Sequence, residues 1–395
     1  MDNSTNSEIT SLLIHSMEYQ DDDMNYDDYY ATCDSMKCHH SDYNRMHNRK
    51  VICCRSLLSK RDVIKIIDEI DDSVTNLQFL NCNLSRKSIN YLCNFIMRKN
   101  TLTYLNISTQ INFCSIKKIC NLLKEDINLQ NLNITISDNK YNESIAEIAE
   151  ALKINTKLHS LRIYNHNKQF NHKIVDVLKI NTTLTDLNIY FNKIGGNDMN
   201  YIVDMLKINT TLKSLNIANC NIDNDGIIKI AKLLEQNISL EKLYIGQNDF
   251  DNVGIQYIIN SLAFNTNLKK LDILLFKFNN DSIVALANIL KINNTLESLK
   301  FNIVRPHGSL YTVIPNSFLE IANSLKINYG LKNLFVMNIY EYDFDRAVYE
   351  HFIDFLNYNY TLEECNFLDS KLLSKEQREL KMRFLKTKKS NRIEN

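Results

Sequence analysis

The sequence predicts an α/β solenoid curved into a horseshoe, with parallel strands on the concave face and helices on the convex face. Three observations carry this prediction. One strand-loop-helix unit recurs along most of the chain, apolar residues alternate within its strand, and an amphipathic stripe marks its helix. Because the period is fixed, the 395 residues are expected to form one long repeat domain and not two or three ordinary domains.

The unit is clearest between residues 212 and 236. Its positions 1, 4, 6, 9 and 11 are Leu212, Leu215, Ile217, Cys220 and Ile222. Side chains alternate along a strand, so positions 4 and 6 point into the core and position 5 points to the opposite face. The following helix has an inward stripe formed by Ile227, Ile230, Ala231 and Leu234.

Position 1 recurs at nearly constant spacing. The first eight intervals are 26 to 29 residues long, and the last two are 35 and 31. The 35-residue unit contains Pro306, Gly308 and Pro315, and proline fits neither a strand ladder nor a helix interior, so a loop is predicted over Asn302–Asn316. The units start at Val74, Leu102, Leu129, Leu158, Leu184, Leu212, Leu240, Leu268, Leu296, Leu331 and Leu362.

Three regions follow from this pattern. Residues 1–47 are acidic and lack periodicity, which predicts a disordered tail. Residues 48–386 form the solenoid of about 12 units, with a degenerate capping unit beginning at Asn48. Residues 387–395 form a basic tail after a last helix at 371–385.

The phrase from Leu206 to Ile217, LKINTTLKSLNI, returns at Leu178–Ile189 and, less closely, at Leu290–Phe301. It resembles the ribonuclease-inhibitor-like subfamily of leucine-rich repeats, which is found in ribonuclease inhibitors and in the sensor regions of NOD-like receptors. The resemblance implies a horseshoe that binds a protein on its concave sheet. It does not extend to a nucleotide-binding module, because the chain has no Gly-x-x-x-x-Gly-Lys-Ser/Thr loop.

Composition excludes several classes of function. The formal net charge is zero, and no apolar run approaches the length of a membrane helix. The ten cysteines lack the spacing of a disulfide framework and the chain starts without a secretory signal pattern, which predicts an intracellular, cytoplasmic protein. Since no catalytic or cofactor motif is present, we expect neither enzyme activity nor a cofactor.

Two charged or polar clusters leave alternatives open. A Cys/His cluster near the N-terminus has zinc-ligand residue types, but its spacing matches no zinc finger, and the other interpretation is a reduced tail. The basic C-terminal helix could contact nucleic acid or an acidic surface, and the other interpretation is a solvated cap. The first cluster is Cys33, Cys38, His39, His40, His47, Cys53 and Cys54; the second is Lys371, Lys375, Arg378, Lys381, Arg383 and Lys386.

A group of large side chains occupies outward strand and loop positions. Because leucine and isoleucine already fill the inward positions, these side chains are not needed for core packing, and Tyr and Arg dominate protein interfaces. The sequence therefore predicts a protein-binding site on the concave face, and ordinary surface tyrosines are the alternative. Its residues are Arg162, Tyr164, Tyr190, Phe191 and Tyr244. At position 5, Asn106, Asn133, Asn188 and Asn216 are predicted to form amide ladders between strands.

Overall fold

In a computed structural model, the described part of the chain covers most of the repeat region. It consists of residues 49–53, 57–58, 60–68, 70, 72–80, 83–136, 139–164, 169–236, 239–274, 279–302, 314–337, 354–355 and 358–365. The predicted tails at 1–47 and 387–395 and the predicted last helix lie outside these residues, so the proposed region boundaries remain predictions.

Within the described residues, twelve parallel strands form one sheet, and each pairs with the strand of the neighbouring unit. A separate short pair joins β2 to β4 beside the first units. The strands are β1 (Arg49–Cys53), β2 (Leu57–Leu58), β3 (Asn76–Leu80), β4 (Asn83–Leu84), β5 (Tyr104–Ile111), β6 (Asn131–Ile136), β7 (Ser160–Tyr164), β8 (Asp186–Asn188), β9 (Ser214–Asn216), β10 (Lys242–Tyr244), β11 (Lys270–Ile273), β12 (Ser298–Asn302), β13 (Asn333–Met337) and β14 (Glu364–Cys365).

A helix follows most strands, and helices of successive units pack side by side. The α/β solenoid predicted from the sequence is therefore confirmed, with strands in one layer and helices in the other. The helices are α1 (Lys60–Asp68), α2 (Arg86–Lys99), α3 (Phe113–Leu123), α4 (Tyr141–Leu152), α5 (Lys173–Asp176) with a 3₁₀ turn at Val177–Lys179, α6 (Asp198–Ile208), α7 (Asn224–Leu234), α8 (Asn252–Ser261), α9 (Asn280–Leu290) and α10 (Ile314–Leu325).

The sheet register confirms the predicted repeat positions. Leu215 at position 4 pairs with Leu187 and Leu243, the position 4 residues of the adjacent units. Leu215 and Ile217 are both 0% exposed. The position 1 leucines from Leu102 onward are also buried, while Val74 is partly buried at the N-terminal end. One continuous apolar core thus lies between strands and helices, as expected of stacked repeats.

The predicted loop at Asn302–Asn316 is wrong at both ends. Asn302 belongs to β12, and α10 begins at Ile314, so Pro315 is the second residue of a helix. Proline is tolerated there because the N–H groups of the first helical turn have no intrahelical acceptor. Residues 303–313 lie outside the described residues.

In seven of the described units, a buried asparagine before the strand bonds the end of the preceding unit's helix, and together these asparagines form a ladder. In each case Nδ2 donates to the carbonyl of a leucine in or near the end of the preceding unit's helix, at 2.6–2.8 Å. Oδ1 accepts from the backbone N–H groups of the residues two and three positions later in the chain. The later of these two residues is the position 1 leucine. Each amide thus satisfies polar backbone groups that would otherwise be buried unpaired. The seven residues of this ladder are Asn155, Asn181, Asn209, Asn265, Asn293, Asn328 and Asn359.

Candidate functional site

The five predicted site residues lie on the outward face of the central strands or just after them. Arg162 lies in β7 opposite Asn188 of β8, and Tyr244 lies in β10 between Asn216 and Asp272. All five side chains are half-buried. They are therefore less exposed than the sequence predicted, because they pack against neighbours on the same face.

Arg162 forms the polar centre of this group. Its guanidinium hydrogen-bonds the Tyr164 hydroxyl and lies close to Asp186 and Tyr104. Desolvation lowers the pKa of Arg162, but the nearby Asp186 carboxylate and the Tyr164 hydroxyl, which is hydrogen-bonded to the guanidinium, outweigh that effect and leave the pKa raised. Desolvation likewise raises the pKa of the Tyr164 phenol, against the smaller opposing effect of Arg162. Arg162 is thus a charged group held in place at neutral pH.

Asp186 and Tyr104 are part of the same polar network, and the sequence analysis did not single them out. The Ser160 hydroxyl donates to Asp186 at 3.1 Å, and Asn133 Nδ2 donates to the Tyr104 hydroxyl at 2.7 Å. Both residues occupy position 3 of their units, a position that carries no apolar repeat signal in the sequence. Their role depends on contacts across strands, which a single repeat does not reveal.

Tyr190 connects the residues after β8 to two further units. Its ring meets Tyr164 edge to face at 6.3 Å between centroids and lies 5.4 Å from the Phe191 ring. Its hydroxyl donates to Gln247 Oε1 and accepts from Asn219 Nδ2, both at 3.3 Å. We call Arg162, Tyr164, Tyr190 and Phe191 the tyrosine cluster, since continuous contacts join them.

Phe191 has a left-handed backbone conformation with φ of 66°. The corresponding residues of the next two units, Asn219 and Gln247, also have positive φ, at 51° and 55°. Each donates its backbone N–H to a carbonyl of the following unit, which fixes the chain as it leaves the strand. Asparagine tolerates this conformation, but for a bulky aromatic residue it is a strained exception. Such strain is found most often at functional sites.

Tyr244 packs with a second group of residues, nearer the C-terminal end of the sheet. Its ring lies 5.3 Å from Lys270 Nζ, and two strands further on Lys300 Nζ lies 5.9 Å from the Phe335 ring. Lys242 is exposed next to Lys270, which is 8% exposed. We call Lys242, Tyr244, Lys270, Lys300 and Phe335 the basic-aromatic surface.

The predicted amide ladders at position 5 are wrong. Asn188 Oδ1 accepts from the backbone N–H of Tyr190, and Asn216 Oδ1 accepts from that of Ala218, both at 3.0 Å. These asparagines therefore stabilise the end of their own strands, because a short amide side chain reaches the backbone two residues ahead. The amide ladder of this fold is the buried one formed by the residues three before position 1.

The structure describes some of the remaining candidate residues, and the others lie outside the described residues. Cys220, at position 9 of its unit, is fully buried, and burial raises the pKa of its thiol to about 12. The Cys/His cluster lies outside the described residues apart from Cys53, as does the basic C-terminal helix. Within the described ranges no group of three or more His, Cys, Asp or Glu side chains could hold a metal ion.

A row of exposed apolar residues was also missed by the sequence analysis. Each member precedes an asparagine of the buried ladder, and their exposure is 51% to 68%. The row consists of Ile154, Ile180, Ile208, Phe264, Ile292 and Ile327.

The described helices include none that is long and apolar enough to cross a membrane.

Comparison with known proteins agrees with this architecture. A family model described as Leucine Rich repeat matches residues 181–202 and 209–231. No curated protein sequence matches the chain.

Three solved structures are similar at low sequence identity. The leucine-rich-repeat-containing protein LegL7 from Legionella pneumophila is 15% identical, with TM-score 0.47, over 72% of this chain and 90% of that one. A structure described as Leiomodin-1 Actin-Binding Site 2 is 18% identical, with TM-score 0.30, over 54% and 94%. The tropomodulin C-terminal domain of Caenorhabditis elegans is 13% identical, with TM-score 0.32, over 39% and 90%.

Two observations show the repeat architecture of the chain. The repeat series at positions 1, 4 and 6 is buried as a single parallel-sheet solenoid, and the family model matches two consecutive units of that series. A fold of this kind is suited to act as a protein-interaction scaffold. The described part of the chain is therefore a leucine-rich-repeat solenoid.

Proposed function

We propose that this chain is a non-catalytic scaffold that binds a protein partner on its concave face, with Arg162, Tyr164, Tyr190, Phe191 and Tyr244 as the main contacts. The observation that carries the proposal is the tyrosine cluster itself. Large aromatic side chains and a fixed arginine lie together outside the apolar core, and one of them has a strained backbone. Residues of these types supply most of the affinity of protein interfaces.

Pre-organisation further supports this interpretation. The Tyr190 ring is held by Tyr164 on one side, and its hydroxyl is bonded by Asn219 and Gln247. Side chains already fixed before binding lose little conformational entropy when a partner arrives. Half-buried rings of this kind leave one edge available for contact while remaining in a defined orientation.

The proposal places the protein inside the cell. Among the described cysteines, Cys93, Cys114, Cys120, Cys220 and Cys365 are free thiols. Free thiols in this number suit a reducing compartment. The absence of catalytic motifs from the sequence supports the non-catalytic part of the proposal.

Partner capture with the double variant Tyr190→Ala/Phe191→Ala tests the site. We expect the variant to lose the partner recovered by the wild-type chain, while its melting temperature changes by only a few degrees. The matched control is Tyr257→Ala/Phe264→Ala, which removes the same two side-chain types from helix α8 and the turn after it, where they are 44% and 68% exposed. The control should retain the partner.

A third protein, lacking residues 371–395, separates the proposed site from the basic C-terminal helix. If the double variant kept every partner and the shortened protein lost them, the concave site would be wrong and the basic helix would be favoured. If nucleic acid were the partner there, its binding would weaken steeply with salt concentration.

A further inference from the structure

The basic-aromatic surface is positively charged within a largely neutral face. Lys242 and Lys270 are direct neighbours in the register of β10 and β11, and Lys300 lies one strand further on. Asp272 is the acidic residue among them, and of the three lysines Lys242 is exposed, Lys300 is half-buried and Lys270 is 8% exposed. In β3 and β5 the corresponding outward residues are uncharged, namely Asn76 and Tyr104 at position 3 and Gln78 and Asn106 at position 5. Positive charge therefore distinguishes the surface of β10 to β12 from that of β3 and β5.

The lysines of this surface alternate with aromatic rings. Lys270 lies over the Tyr244 ring and Lys300 over the Phe335 ring, at 5.3 and 5.9 Å. A surface of this kind offers cations for carboxylates and ring faces or edges for aromatic side chains. An extended segment that contains both acidic and aromatic residues fits it best.

The chain itself contains such a segment. Residues 18–30 read EYQDDDMNYDDYY, in which acids and tyrosines make up most of the sequence. No Lys or Arg occurs before Lys37, so the segment has no cations of its own to neutralise its acids. Its composition is the complement of the basic-aromatic surface.

The segment is within reach of that surface. The first described strand, β1, begins at Arg49, and β10 lies seven strand steps away in the sheet order, or about 34 Å at ordinary strand spacing. Strand β13 lies about 48 Å away on the same basis. Residues 31–48 can span at most about 63 Å between Tyr30 and Arg49. The curvature of a horseshoe shortens the direct path further.

We propose that the acidic segment Glu18–Tyr30 docks on the basic-aromatic surface of its own chain. Tethering raises the effective concentration of the segment to the order of millimolar, so even a weak contact is occupied. This docking does not depend on the identity of the partner. Because Tyr244 belongs both to the surface and to the proposed binding site, a docked segment covers part of that site and would compete with a partner there.

Photo-crosslinking of the full chain tests the docking. A photo-reactive phenylalanine derivative replaces Tyr26, and the crosslinked peptides are identified by mass spectrometry. We expect a crosslinked monomer whose crosslinks fall between residues 242 and 337. Lys242→Glu/Lys300→Glu should lower the yield about fivefold, since two charges are reversed and each exposed ion pair contributes a factor of up to about five. The control Lys118→Glu/Lys232→Glu, on the exposed surface of α3 and α7, should leave the yield unchanged.

Two further measurements keep the test independent of folding. Replacing Asp21, Asp22, Asp23, Asp27 and Asp28 by Asn leaves the solenoid sequence intact and should lower the yield in the same way. Raising the salt concentration from about 50 mM to about 500 mM should also lower it, because exposed charges are screened. The proposal is overturned by crosslinked dimers in place of monomers, by crosslinks mainly to residues 371–395, or by a yield that none of these changes affects.

Discussion

Two sets of residues in this solenoid differ in how they vary from unit to unit. The buried ladder uses asparagine in seven units, and all seven are at most 7% exposed with the same hydrogen-bond pattern. Position 5 of the concave face changes along the sheet instead. From β7 to β13 its residues are Arg162, Asn188, Asn216, Tyr244, Asp272, Lys300 and Phe335.

The difference separates folding from recognition. An asparagine that recurs from unit to unit meets a requirement that recurs in the same way. Backbone N–H and C=O groups at the turn from helix to strand are buried and need a hydrogen-bond partner. Position 5 is asparagine in both β8 and β9, but from β10 to β13 it changes with every unit and so serves no such repeated requirement there. The concave positions are therefore available to specify a partner, and the buried ladder and the leucines are not.

A charge at an inward strand position should have the largest effect on stability. Leu215→Asp removes a fully buried leucine and leaves an unpaired carboxylate, so we expect the free energy of unfolding to fall by roughly 4 kcal/mol or more. Chemical denaturation measures the change. The control Asn216→Asp alters the next residue, whose side-chain oxygen still accepts from Ala218, and should cost less than about 1 kcal/mol. Equal losses for both would mean that the strand register is wrong.

Removing one amide of the buried ladder should have the next largest effect. Asn209→Ala leaves the Leu178 carbonyl and the N–H groups of Thr211 and Leu212 without their side-chain partner. We expect a loss of about 3 kcal/mol in denaturation experiments. Ile208→Ala changes the adjacent residue, which is 58% exposed, and should cost no more than about 0.5 kcal/mol. A small loss for Asn209→Ala would contradict the role assigned to the ladder.

How far the sequence predicted this structure depends on the kind of interaction. The period and the alternation of apolar residues predicted Leu212, Leu215 and Ile217 as core, because burial of apolar side chains follows directly from strand geometry. The role of Asn209 was not predicted, although it stands inside the repeated phrase. Its partners are backbone groups of the preceding unit, and only the turn from helix to strand brings them together.

The outward placement of the candidate residues was predicted from the sequence, but their contacts were not. Alternation placed Tyr164 and Tyr244 on the outward face, yet it could not predict that Tyr164 hydrogen-bonds Arg162. It also gave no sign that Phe191 has positive φ, since nothing in a single unit distinguishes that backbone. Contacts between strands and backbone dihedral angles require the assembled sheet.

Relief of strain at Phe191 should have the smallest effect on stability. Phe191→Asn introduces the residue that the next unit has at the same position, where Asn219 has the same left-handed conformation. We expect the free energy of unfolding to stay constant or rise by up to about 1 kcal/mol, because the gain in backbone energy offsets the lost ring contacts. If stability fell by more than about 1 kcal/mol, Phe191 would be a core residue and not a binding residue.

The most direct measurement replaces all five site residues by residues that other units use at the same or an equivalent position. The variant is Arg162→Asn, Tyr164→Ala, Tyr190→Ala, Phe191→Asn and Tyr244→Asn, and it is compared with wild type in chemical denaturation and in partner capture. We predict that it folds with a free energy of unfolding within about 2 kcal/mol of wild type and recovers no partner. A variant that fails to fold, or that folds and still recovers the partner, would contradict the separation of folding from recognition.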